Sequence, residues 1–350
     1  MGPARLGPAR LLDVLVVSLG STHGLRVADE QLAEALAGAG ASVEIASATP
    51  PRPTRTMMLT DLGWARAARA ATQRALERIE PRAIVYSSTT AALLWPRAGA
   101  IRFDASCAGN RPGRDGLWQR PLERRRLAQA PLLLPWSAAA LAELPAGLAR
   151  GARPTLVVPV AVEPSGPPAT ERDIAAITYA ANPAKKGLGR VLAAWRAVPR
   201  EIRGSGELHV AGVGERELRA AGLVAGAGVR IHGSLAREDY RALLRRARVF
   251  VCAPRREDYG IAQLEALVDG CQLVSTPAPG PYAALAIARE LDPRLVGEQL
   301  DSGLCAALSQ PRGDYAERAL AALAPYRLGA VEELVRDRLP ALLLGERPQL

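Results

Sequence analysis

The chain has 350 residues and a formal charge of +10, and 49% of its residues are hydrophobic against 23% charged. This composition excludes a disordered, collagen-like or disulfide-stapled chain, and at roughly 150 residues per domain the length predicts about two domains. Alanine and arginine are abundant throughout, as in proteins from GC-rich genomes. The charge is therefore weak support for a nucleic-acid partner, and we expect none.

The first apolar run, Leu11 to Val17, carries Asp13, and no small-residue cleavage site follows it. We therefore predict a strand there rather than a signal peptide. No uninterrupted apolar run approaches the roughly 18 residues needed to span a bilayer. The cysteines lie far apart without C-x-x-C spacing, at Cys107, Cys252, Cys271 and Cys305. Such cysteines are typical of free thiols in a reducing compartment, so we expect a cytoplasmic protein whose membrane contact, if any, is peripheral and at the inner face.

Short apolar runs rich in β-formers alternate with longer segments of helical period along the first half of the chain. Two of the helical segments are Leu25 to Ala37 and Ala65 to Ile79. The predicted strands of this half are Leu12 to Ser18, Ser42 to Ala46, Ala83 to Ser87, Ala100 to Phe103, Leu132 to Leu134 and Thr155 to Val158. This alternation is typical of βα units that build a parallel sheet covered on both faces.

The proline-rich segment 164–168 can neither continue a helix nor pair in a sheet, so we place a domain linker there. The second half then repeats the βα pattern. Its predicted strands are Ile174 to Tyr179, Leu208 to Ala211, Val229 to His232, Val249 to Cys252 and Leu273 to Ser275. The predicted fold is α/β, with Rossmann-like domains at residues 1–163 and 169–350 that face each other across a cleft. The last amphipathic stretch, Val331 to Leu344, could pack on either domain, and Pro340 should kink or end it.

Ligands of such sheets bind beyond the carboxyl ends of the strands, where one turn of the second domain carries two glutamates. A buried strand ending at Cys252 is followed by Glu257, Gly260 and a helix that includes Glu265. This turn places amide N–H groups at a helix N-terminus beside two carboxylates, which can hold an anion and sugar or ribose hydroxyls. For an isolated pair, the plainer interpretation is that Glu257 complements the helix dipole and Glu265 is solvated.

Another turn follows the first strand of the second domain and carries Lys185 and Lys186 directly before a helix. Positive charge opposes the helix dipole at that end, which disfavours a merely solvated lysine pair. A lysine in this place can pair with a phosphate group.

The spacing from Glu257 to Glu265, an E-x7-E motif, resembles the signature of the retaining glycosyltransferases of family 4, which have the GT-B fold. Further landmarks follow in the family's order, namely Lys186-Gly187, Leu208 to Gly214, and Val229 to Leu235. The resemblance covers Ile174 to Tyr282 well, whereas in the first domain only the opening strand and the loop 19–24 fit. It implies transfer of a sugar from a nucleoside-diphosphate donor with retention of anomeric configuration. It also implies that neither a metal ion nor a further cofactor is needed.

In such enzymes the second domain holds the donor and the first holds the acceptor. The resemblance implies that Glu257 holds a hydroxyl of the donor sugar, Glu265 the ribose and Lys186 the diphosphate. The further donor-binding residues that it implies are Gly20, Lys185, Ser234, Leu235, Tyr259, Gly260 and Ile261. Of these, the last three would line the sugar and phosphate through their amides, and Ser234 and Leu235 would hold the base through their backbone. Glycine at position 20 would permit close approach of its loop to the phosphate.

The sequence departs from the family pattern at two places. Ala181 stands where the family usually has an arginine that shares the diphosphate charge, and Lys185 could substitute for it. The segment Pro277 to Tyr282 stands where a pair of glycines and a glutamate are common, so we expect a donor pocket of different shape there.

On the acceptor side, Asp104 follows a predicted strand and could orient or deprotonate an acceptor hydroxyl, or only cap a loop. His23, in the first strand-end loop, is the other catalytic candidate. We expect a small-molecule, glycan or lipid-linked acceptor. The segment Arg111 to Arg126 carries six arginines against two acids, with Trp118 among them. It could contact an anionic membrane surface, an anionic acceptor or nucleic acid, or be a solvated helix.

Two other function classes stay open. An NAD-dependent oxidoreductase would need a G-x-G-x-x-G motif opening a helix, but Gly212 and Gly214 are followed by Glu217 where the third glycine belongs. The other class is a catalytically inactive, glycosyltransferase-like binding protein that lost its activity through Ala181.

Overall fold

The computed structural model describes residues 10–149, 153–167, 169 and 171–345. The chain forms two compact units, each built on one five-stranded sheet. The first unit runs up to Ala161 and resumes at Leu328, and the second comprises Val162–Arg327. Within the described ranges, no helix is long and apolar enough to cross a membrane.

The sheet of the first unit has the strand order β2-β1-β3-β4-β5 and is parallel throughout. Its strands are β1 (Arg10–Ser18), β2 (Val43–Ser47), β3 (Ile79–Tyr86), β4 (Ala100–Phe103) and β5 (Leu133–Pro135). The helices among these strands are α1 (His23–Gly38), α2 (Met57–Leu76), α3 (Thr89–Ala92), α4 (Cys107–Asn110), α5 (Gln119–Gln129), α6 (Ala138–Ala142) and α7 (Ala146–Ala149). A 3-10 turn at Gly113–Gly116 precedes α5.

The core of this unit has two layers, one on each face of the sheet. Val14, Leu15, Val16 and Val17 of β1 are all buried, because α2 covers one face and α1 the other. A central parallel strand that is covered on both faces has a continuous apolar sequence rather than an alternating one. The same run in the sequence is what predicts the strand.

The sheet of the second unit has the order β10-β9-β6-β7-β8 and is likewise parallel. Its strands are β6 (Ile174–Tyr179), β7 (Leu208–Ala211), β8 (Val229–Gly233), β9 (Ala247–Cys252) and β10 (Gln272–Ser275). Its helices are α8 (Leu188–Ala197), α9 (Arg200–Arg203), α10 (Glu215–Ala220), α11 (Arg237–Arg246), α12 (Ile261–Val268), α13 (Ala283–Leu291), α14 (Leu300–Ser309) and α15 (Tyr315–Ala322). Short 3-10 turns lie at Pro293–Leu295 and Ala324–Tyr326. The loops after β6, β8 and β9 therefore share the carboxyl edge of one sheet.

The closing helix α16 (Leu328–Leu344) belongs to the first unit. Val331, Val335 and Leu339 are buried in the same apolar cluster as α1, so the chain returns from the second unit to complete the first core. The sequence left open which domain this stretch packs on. The helix continues through Pro340, so of the two expected effects of this proline, a kink or an end, the end does not occur.

Other differences concern boundaries. Thr155 to Val158 is not a strand: Thr155 forms one isolated parallel bridge with Leu133, and the following backbone N–H groups of Leu156 and Val158 bond to β5 without a regular ladder. Ile79, predicted to end a helix, instead opens β3, because the preceding helix stops at Leu76. The proline-rich segment 164–168 lies a few residues after the observed division, at Ala161. The remaining predicted strands are present with small shifts of their ends.

Candidate functional site

The carboxyl edge of the second sheet brings Lys186 and Glu257 into contact. Lys186 follows β6 and Glu257 follows β9, and these strands are parallel neighbours, so their loops meet at one edge. Lys186 Nζ lies 2.5 Å from Glu257 Oε2. The amide of Arg255 also donates to the carbonyl oxygen of Lys185 at 3.0 Å, which joins the two turns through the backbone. The sequence placed both charged residues at this edge, and the structure shows that they are paired.

Glu257 is nearly buried, with 7% of its surface exposed. Besides Lys186, its Oε2 accepts a hydrogen bond of 3.1 Å from Gln263 Nε2 on the first turn of α12. Its backbone N–H donates to the carbonyl oxygen of Pro279 at 3.1 Å. Two side-chain donors hold the carboxylate and one backbone bond holds the turn, while the carboxylate can accept more hydrogen bonds than the two that it receives.

Glycines allow these turns to pack closely. Gly187 has φ +64°, and a Cβ atom built there would lie 1.8 Å from the carbonyl oxygen of Ala253. Gly280 has φ +111°, and its Cβ would lie 2.2 Å from the carbonyl oxygen of Glu257. Both conformations are left-handed and both spaces are filled by backbone, so only glycine fits. The Pro277 to Tyr282 segment, which departs from the family pattern, therefore supports the Glu257 turn directly.

The N-terminus of α12 lies directly after Glu257. Gly260 precedes the helix with φ +86°, and Ile261 is its first residue. No side chain of the described chain caps this end, so the amides of the first turn stay available as donors. Tyr259, which precedes Gly260, is 3% exposed. A helix N-terminus of this kind carries partial positive charge and suits an anion.

Lys185 lies farther out than Lys186. Its side chain is 52% exposed and its Nζ is 3.9 Å from Asp258 Oδ2. Arg256 Nε donates to the other oxygen of Asp258 at 2.7 Å. The Asp258 carboxylate therefore faces two cations.

Glu265 is held by two arginines. Its Oε1 lies 3.0 Å from Arg237 Nη2 and 3.2 Å from Arg241 Nη1, both on α11. Arg241 Nε also donates to Asp269 at 2.7 Å. Burial alone would lower the pKa of Arg241, but the hydrogen bond to Asp269 and the charge of Glu265 raise it overall. The sequence predicted that Glu265 is either exposed to solvent or binds the ribose. Neither prediction included its ion pairs with Arg237 and Arg241.

Ser234 and Leu235 follow β8 at the same edge, two strands from β6, and Ser234 is exposed. They lie in the loop that leads to α11, the helix that holds Glu265. The second unit thus collects on one sheet edge every donor-binding residue expected in that half of the chain.

The carboxyl edge of the first sheet carries Gly20 and His23 in the connection from β1 to α1 and Asp104 in the loop after β4. His23 is exposed as the first residue of α1, and Asp104 is half-buried directly after β4. Gly20 has φ +56°, and its carbonyl oxygen accepts a hydrogen bond of 3.3 Å from Arg26 Nη1. The structure leaves the catalytic roles of His23 and Asp104 as predictions.

A buried ion pair lies beneath that edge. Arg102 and Asp29 are each 1% exposed, with Nη1 and Oδ1 3.6 Å apart. Ser18 donates to Asp29, and Arg102 donates to the carbonyl oxygen of Ala28 at 2.8 Å. Burial raises the pKa of Asp29 despite the nearby guanidinium. Arg102 also stacks 5.0 Å over the ring of Trp136.

The six arginines of Arg111 to Arg126 fall into two groups. Three are used inside the unit: Arg111 bonds Asp61 at 2.6 Å, Arg120 bonds the carbonyl oxygens of Gly113 and Gly116, and Arg126 stacks on Trp95 at 5.0 Å. Arg114, Arg124 and Arg125 are exposed. Of the two acids, Glu123 is buried, and burial raises its pKa to about 7.

In the described part of the chain, no cluster of three or more histidine, cysteine or acidic side chains could hold a metal ion. The four cysteines are free thiols. Gln263, Gly280, Arg237 and Arg241 were missed from sequence, because each acts through a contact with a residue distant in the chain or on another turn. The only local signal was the arginine pair spaced i, i+4 on a predicted helix.

Known proteins resemble this chain in sequence over one region and in fold throughout. Residues 172–310, within the second unit, match the family model of glycosyl transferases group 1. No curated protein sequence matches the chain. Sucrose-phosphate synthase from Thermosynechococcus elongatus is 17% identical with a TM-score of 0.67, over 95% of this chain and 100% of that one.

WaaG, a glycosyltransferase involved in lipopolysaccharide biosynthesis, is 16% identical with a TM-score of 0.66, over 97% of this chain and 100% of that one. An α,α-trehalose-phosphate synthase (UDP-forming) from Burkholderia xenovorans is 13% identical with a TM-score of 0.66, over 95% and 100% of the two chains. At these identities the structural similarity establishes the fold: the chain is an α/β protein of the GT-B class, with two parallel five-stranded sheets.

Proposed function

We propose that the chain is a retaining glycosyltransferase that moves a sugar from a nucleoside-diphosphate sugar to an acceptor hydroxyl. The observation that carries the proposal is the 2.5 Å contact between Lys186 and Glu257, beside the uncapped N-terminus of α12. It lies inside the region that matches group 1 glycosyltransferases. A cation, a set of free amides and a fixed carboxylate together suit a ligand that is both a phosphate ester and a polyol.

On the donor side, Lys186 and the amides of Gly260 and Ile261 are assigned to the diphosphate. As the glycosidic bond breaks, negative charge builds on the departing nucleoside diphosphate, and these fixed positive groups stabilise it. They supply that charge without a divalent metal, which is why we propose a metal-independent reaction. Lys185 adds positive charge at the same edge, where Ala181 supplies none.

Glu257 is assigned to a hydroxyl of the transferred sugar, with Gln263 holding the carboxylate in place. Glu265 is assigned to the ribose, oriented by Arg237 and Arg241, and the loop of Ser234 and Leu235 to the base. Gly20 is assigned to the close approach of its loop to the donor phosphate. The roles of Glu257, Glu265, Ser234, Leu235 and Gly20 are those that the family resemblance implies. The roles of Gln263, Arg237 and Arg241 are added because these residues contact the two glutamates.

In the transfer, the bond between the anomeric carbon and the diphosphate oxygen breaks, and a bond from the acceptor oxygen to the same face of that carbon forms. The acceptor proton passes to the departing diphosphate oxygen, so the reaction is balanced without an external base. Asp104 and His23 are the candidates in the first unit for orienting the acceptor hydroxyl.

For the acceptor, we propose a small molecule, a glycan or a lipid-linked species, with peripheral contact to an anionic bilayer through Arg111 to Arg126. Leu117 is 60% exposed and Met57 is 50% exposed. The Arg111 to Asp61 bond ties the 3-10 turn before Leu117 to the first turns of α2, near Met57. Exposed apolar side chains next to arginines suit the interface of an anionic bilayer, where guanidinium groups meet lipid phosphates.

The donor site is tested by thermal shift of the purified chain with UDP, GDP, ADP, dTDP and NAD. A nucleoside diphosphate at about 100 times its Kd should add about 2.7 kcal/mol of stability. We expect one diphosphate to bind, and Lys186→Met to weaken its binding, while Arg190→Met, which replaces an exposed cation on the next helix, does not. A rise in melting temperature with NAD alone would favour the alternative function, an NAD-dependent oxidoreductase. Diphosphate binding without turnover of any sugar donor would favour an inactive binding protein.

A further inference from the structure

Two neighbouring helices of the second unit, α11 and α12, face each other with charged side chains. Arg237 and Arg241 are four residues apart on α11, and Asp269, which caps the end of α12, lies four residues after Glu265. Residues with this spacing lie on one face of a helix, one turn apart. Glu265 is nearer the carboxyl edge and is assigned to the ribose, whereas Asp269 lies one turn deeper and takes no part in that assignment.

Arg241 lies between the two carboxylates and bonds three different groups with its three nitrogens. Its Nε donates to Asp269 Oδ2 at 2.7 Å, its Nη1 to Glu265 Oε1 at 3.2 Å, and its Nη2 to the carbonyl oxygen of Glu163 at 2.7 Å. The side chain is 5% exposed. The planar guanidinium is therefore fixed in one orientation, in which it meets Glu265 through Nη1.

Asp269 is itself held in place from a second side. The side chain is fully buried, and besides Arg241 it accepts two kinds of hydrogen bond from Ser165. The backbone N–H of Ser165 donates to Oδ1 at 2.8 Å, and its hydroxyl donates to Oδ2 at 3.0 Å. The same hydroxyl accepts from Arg245 Nη1 at 2.6 Å. A buried network whose members are all bonded is rigid, so Asp269 gives Arg241 a fixed partner.

The orientation of Arg241 decides how Glu265 is used. An arginine that is not held elsewhere pairs with a carboxylate through two parallel N–H···O bonds, which occupy both oxygens. Here Asp269 takes Nε and the Glu163 carbonyl takes Nη2, so that geometry is prevented. The bonds from Arg237 and Arg241 both end on Glu265 Oε1. Because a carboxylate can accept about four hydrogen bonds, two donors on one oxygen leave capacity for hydroxyl groups.

We propose that Asp269 is a positioning residue for the nucleotide: by holding Arg241, it keeps the Glu265 carboxylate oriented to accept hydrogen bonds from ribose hydroxyls. The inference rests on the proposed function, in which Glu265 binds the ribose. Asp269 acts through Arg241 without touching the ligand, because its side chain is fully buried. Glu265, by contrast, keeps 10% of its side chain exposed.

The positioning role predicts a preference between two sugars. A hydrogen bond from a hydroxyl to a charged carboxylate strengthens binding by about tenfold or more, and a 2′-deoxyribose lacks one of the two hydroxyls of a ribose. The site should therefore bind a ribonucleoside diphosphate about tenfold or more tightly than its 2′-deoxy analogue. The preference should depend on Asp269 as well as on Glu265.

The test is calorimetric titration of the full chain with UDP, GDP and ADP, each paired with its 2′-deoxy analogue. The readout is the ratio of the two dissociation constants within a pair. Glu265→Gln and Asp269→Asn should each reduce the ratio from about tenfold to about threefold or less. A merely structural defect weakens both members of a pair equally and leaves the ratio unchanged.

Two further variants complete the test. Asp173→Asn is the matched control, because it removes an aspartate that pairs with Arg246 of α11 but is 54% exposed, and the ratio should change less than about twofold. Arg241→Lys covers the case in which Asp269→Asn does not fold. It keeps the positive charge, but a lysine has one nitrogen and cannot bond three groups in three directions, so the ratio should fall as it does for Asp269→Asn.

The outcomes separate the positioning role from the proposed function. A ratio that falls with Glu265→Gln but not with Asp269→Asn or Arg241→Lys would overturn the positioning role and leave the proposed function standing. Equal binding of both members of a pair by the unaltered chain would overturn the positioning role as well. If none of the nucleoside diphosphates binds, the proposed function is wrong and the positioning role with it.

Discussion

The carboxyl edges of the two sheets are formed by different kinds of side chain. In the second unit, charged side chains and tightly packed glycines form the edge, with Lys186 and Glu257 in direct contact. In the first unit, hydroxyl side chains cap the helices that start at the edge, at Thr22, Ser88, Ser106 and Ser137.

The difference is consistent with the roles proposed for the two edges, the donor diphosphate in the second unit and the acceptor in the first. A hydroxyl cap occupies one of the free amides at a helix N-terminus, so each capped helix of the first unit has one donor fewer for an anion. The α12 N-terminus of the second unit has no such cap in the described chain. A diphosphate is the same in every nucleotide sugar, and a rigid charged edge suits it. In the proposed reaction the acceptor is bound by the first unit, whose loops can change in sequence without disturbing the Lys186 to Glu257 ion pair.

The largest effect should come from Glu257, which belongs to the charged edge. Glu257→Gln keeps the shape but removes the charge that faces Lys186, and we expect sugar transfer to fall about 10²- to 10³-fold. The measurement is release of nucleoside diphosphate from the donor identified by thermal shift. Glu298→Gln, on a side chain 71% exposed in the same unit, is the matched control. Equal rates in the two variants would contradict the site.

The next largest effect should come from substituting a tightly packed glycine of that edge, and it should appear in the free energy of unfolding. Gly187→Ala places a Cβ against the carbonyl oxygen of Ala253, so we expect a loss of about 3 kcal/mol or more in the free energy of unfolding. Gly222→Ala in the same unit and Gly40→Ala in the first also have positive φ but open space, and each should cost only about 1–2 kcal/mol. Urea unfolding measures the three. Similar losses would show that conformation, not packing, requires glycine at position 187.

The two units should also respond in opposite directions to pH. In the first, burial raises the pKa of Glu123 to about 7. Between pH 5 and 7 the folded unit therefore holds a proton that the unfolded chain releases, and stability rises as pH falls. In the second, burial, ahead of the charges of His232 and Arg230, lowers the pKa of His209 to about 4. Between pH 4 and 6.5 the unfolded chain therefore binds a proton at His209 that the folded unit does not, so the stability of the second unit decreases as the pH is lowered.

We expect His209 to cost the second unit roughly 2 kcal/mol on going from pH 7 to pH 5. Hydrogen exchange of strand amides in β3 and β7, corrected for intrinsic rates, measures the two units in one experiment. His209→Gln should flatten the response of β7, and Glu123→Gln that of β3. A parallel change in both strands would contradict the assignment of opposite proton linkage.

The smallest effect concerns the exposed surface of the first unit. Leu117→Asp should reduce binding to vesicles that contain anionic lipid about five-fold, because it removes an apolar contact and adds a repulsive charge. Val224→Asp, on a 72% exposed residue of the second unit, is the matched control. Salt-sensitive binding to DNA that is unaffected by Leu117→Asp would favour nucleic acid instead.

The fold could be predicted from the sequence because its pattern is local. The apolar run of β1 and the two turns with Lys186 and Glu257 follow from a few adjacent residues. The support from Gly280, by contrast, depends on a contact with a backbone 23 positions earlier in the chain. The Arg241 to Asp269 bond exists only once the separate helices have packed. Local patterns carry no information about such contacts.

The return of α16 to the first unit has a consequence for synthesis on the ribosome. Val331, Val335 and Leu339 fill a face of the first core that the preceding residues of that unit leave uncovered. The second unit, Val162–Arg327, is complete before this helix emerges. During translation the first unit therefore keeps this apolar face uncovered, and accessible to chaperones, until the whole second unit and α16 have been synthesised.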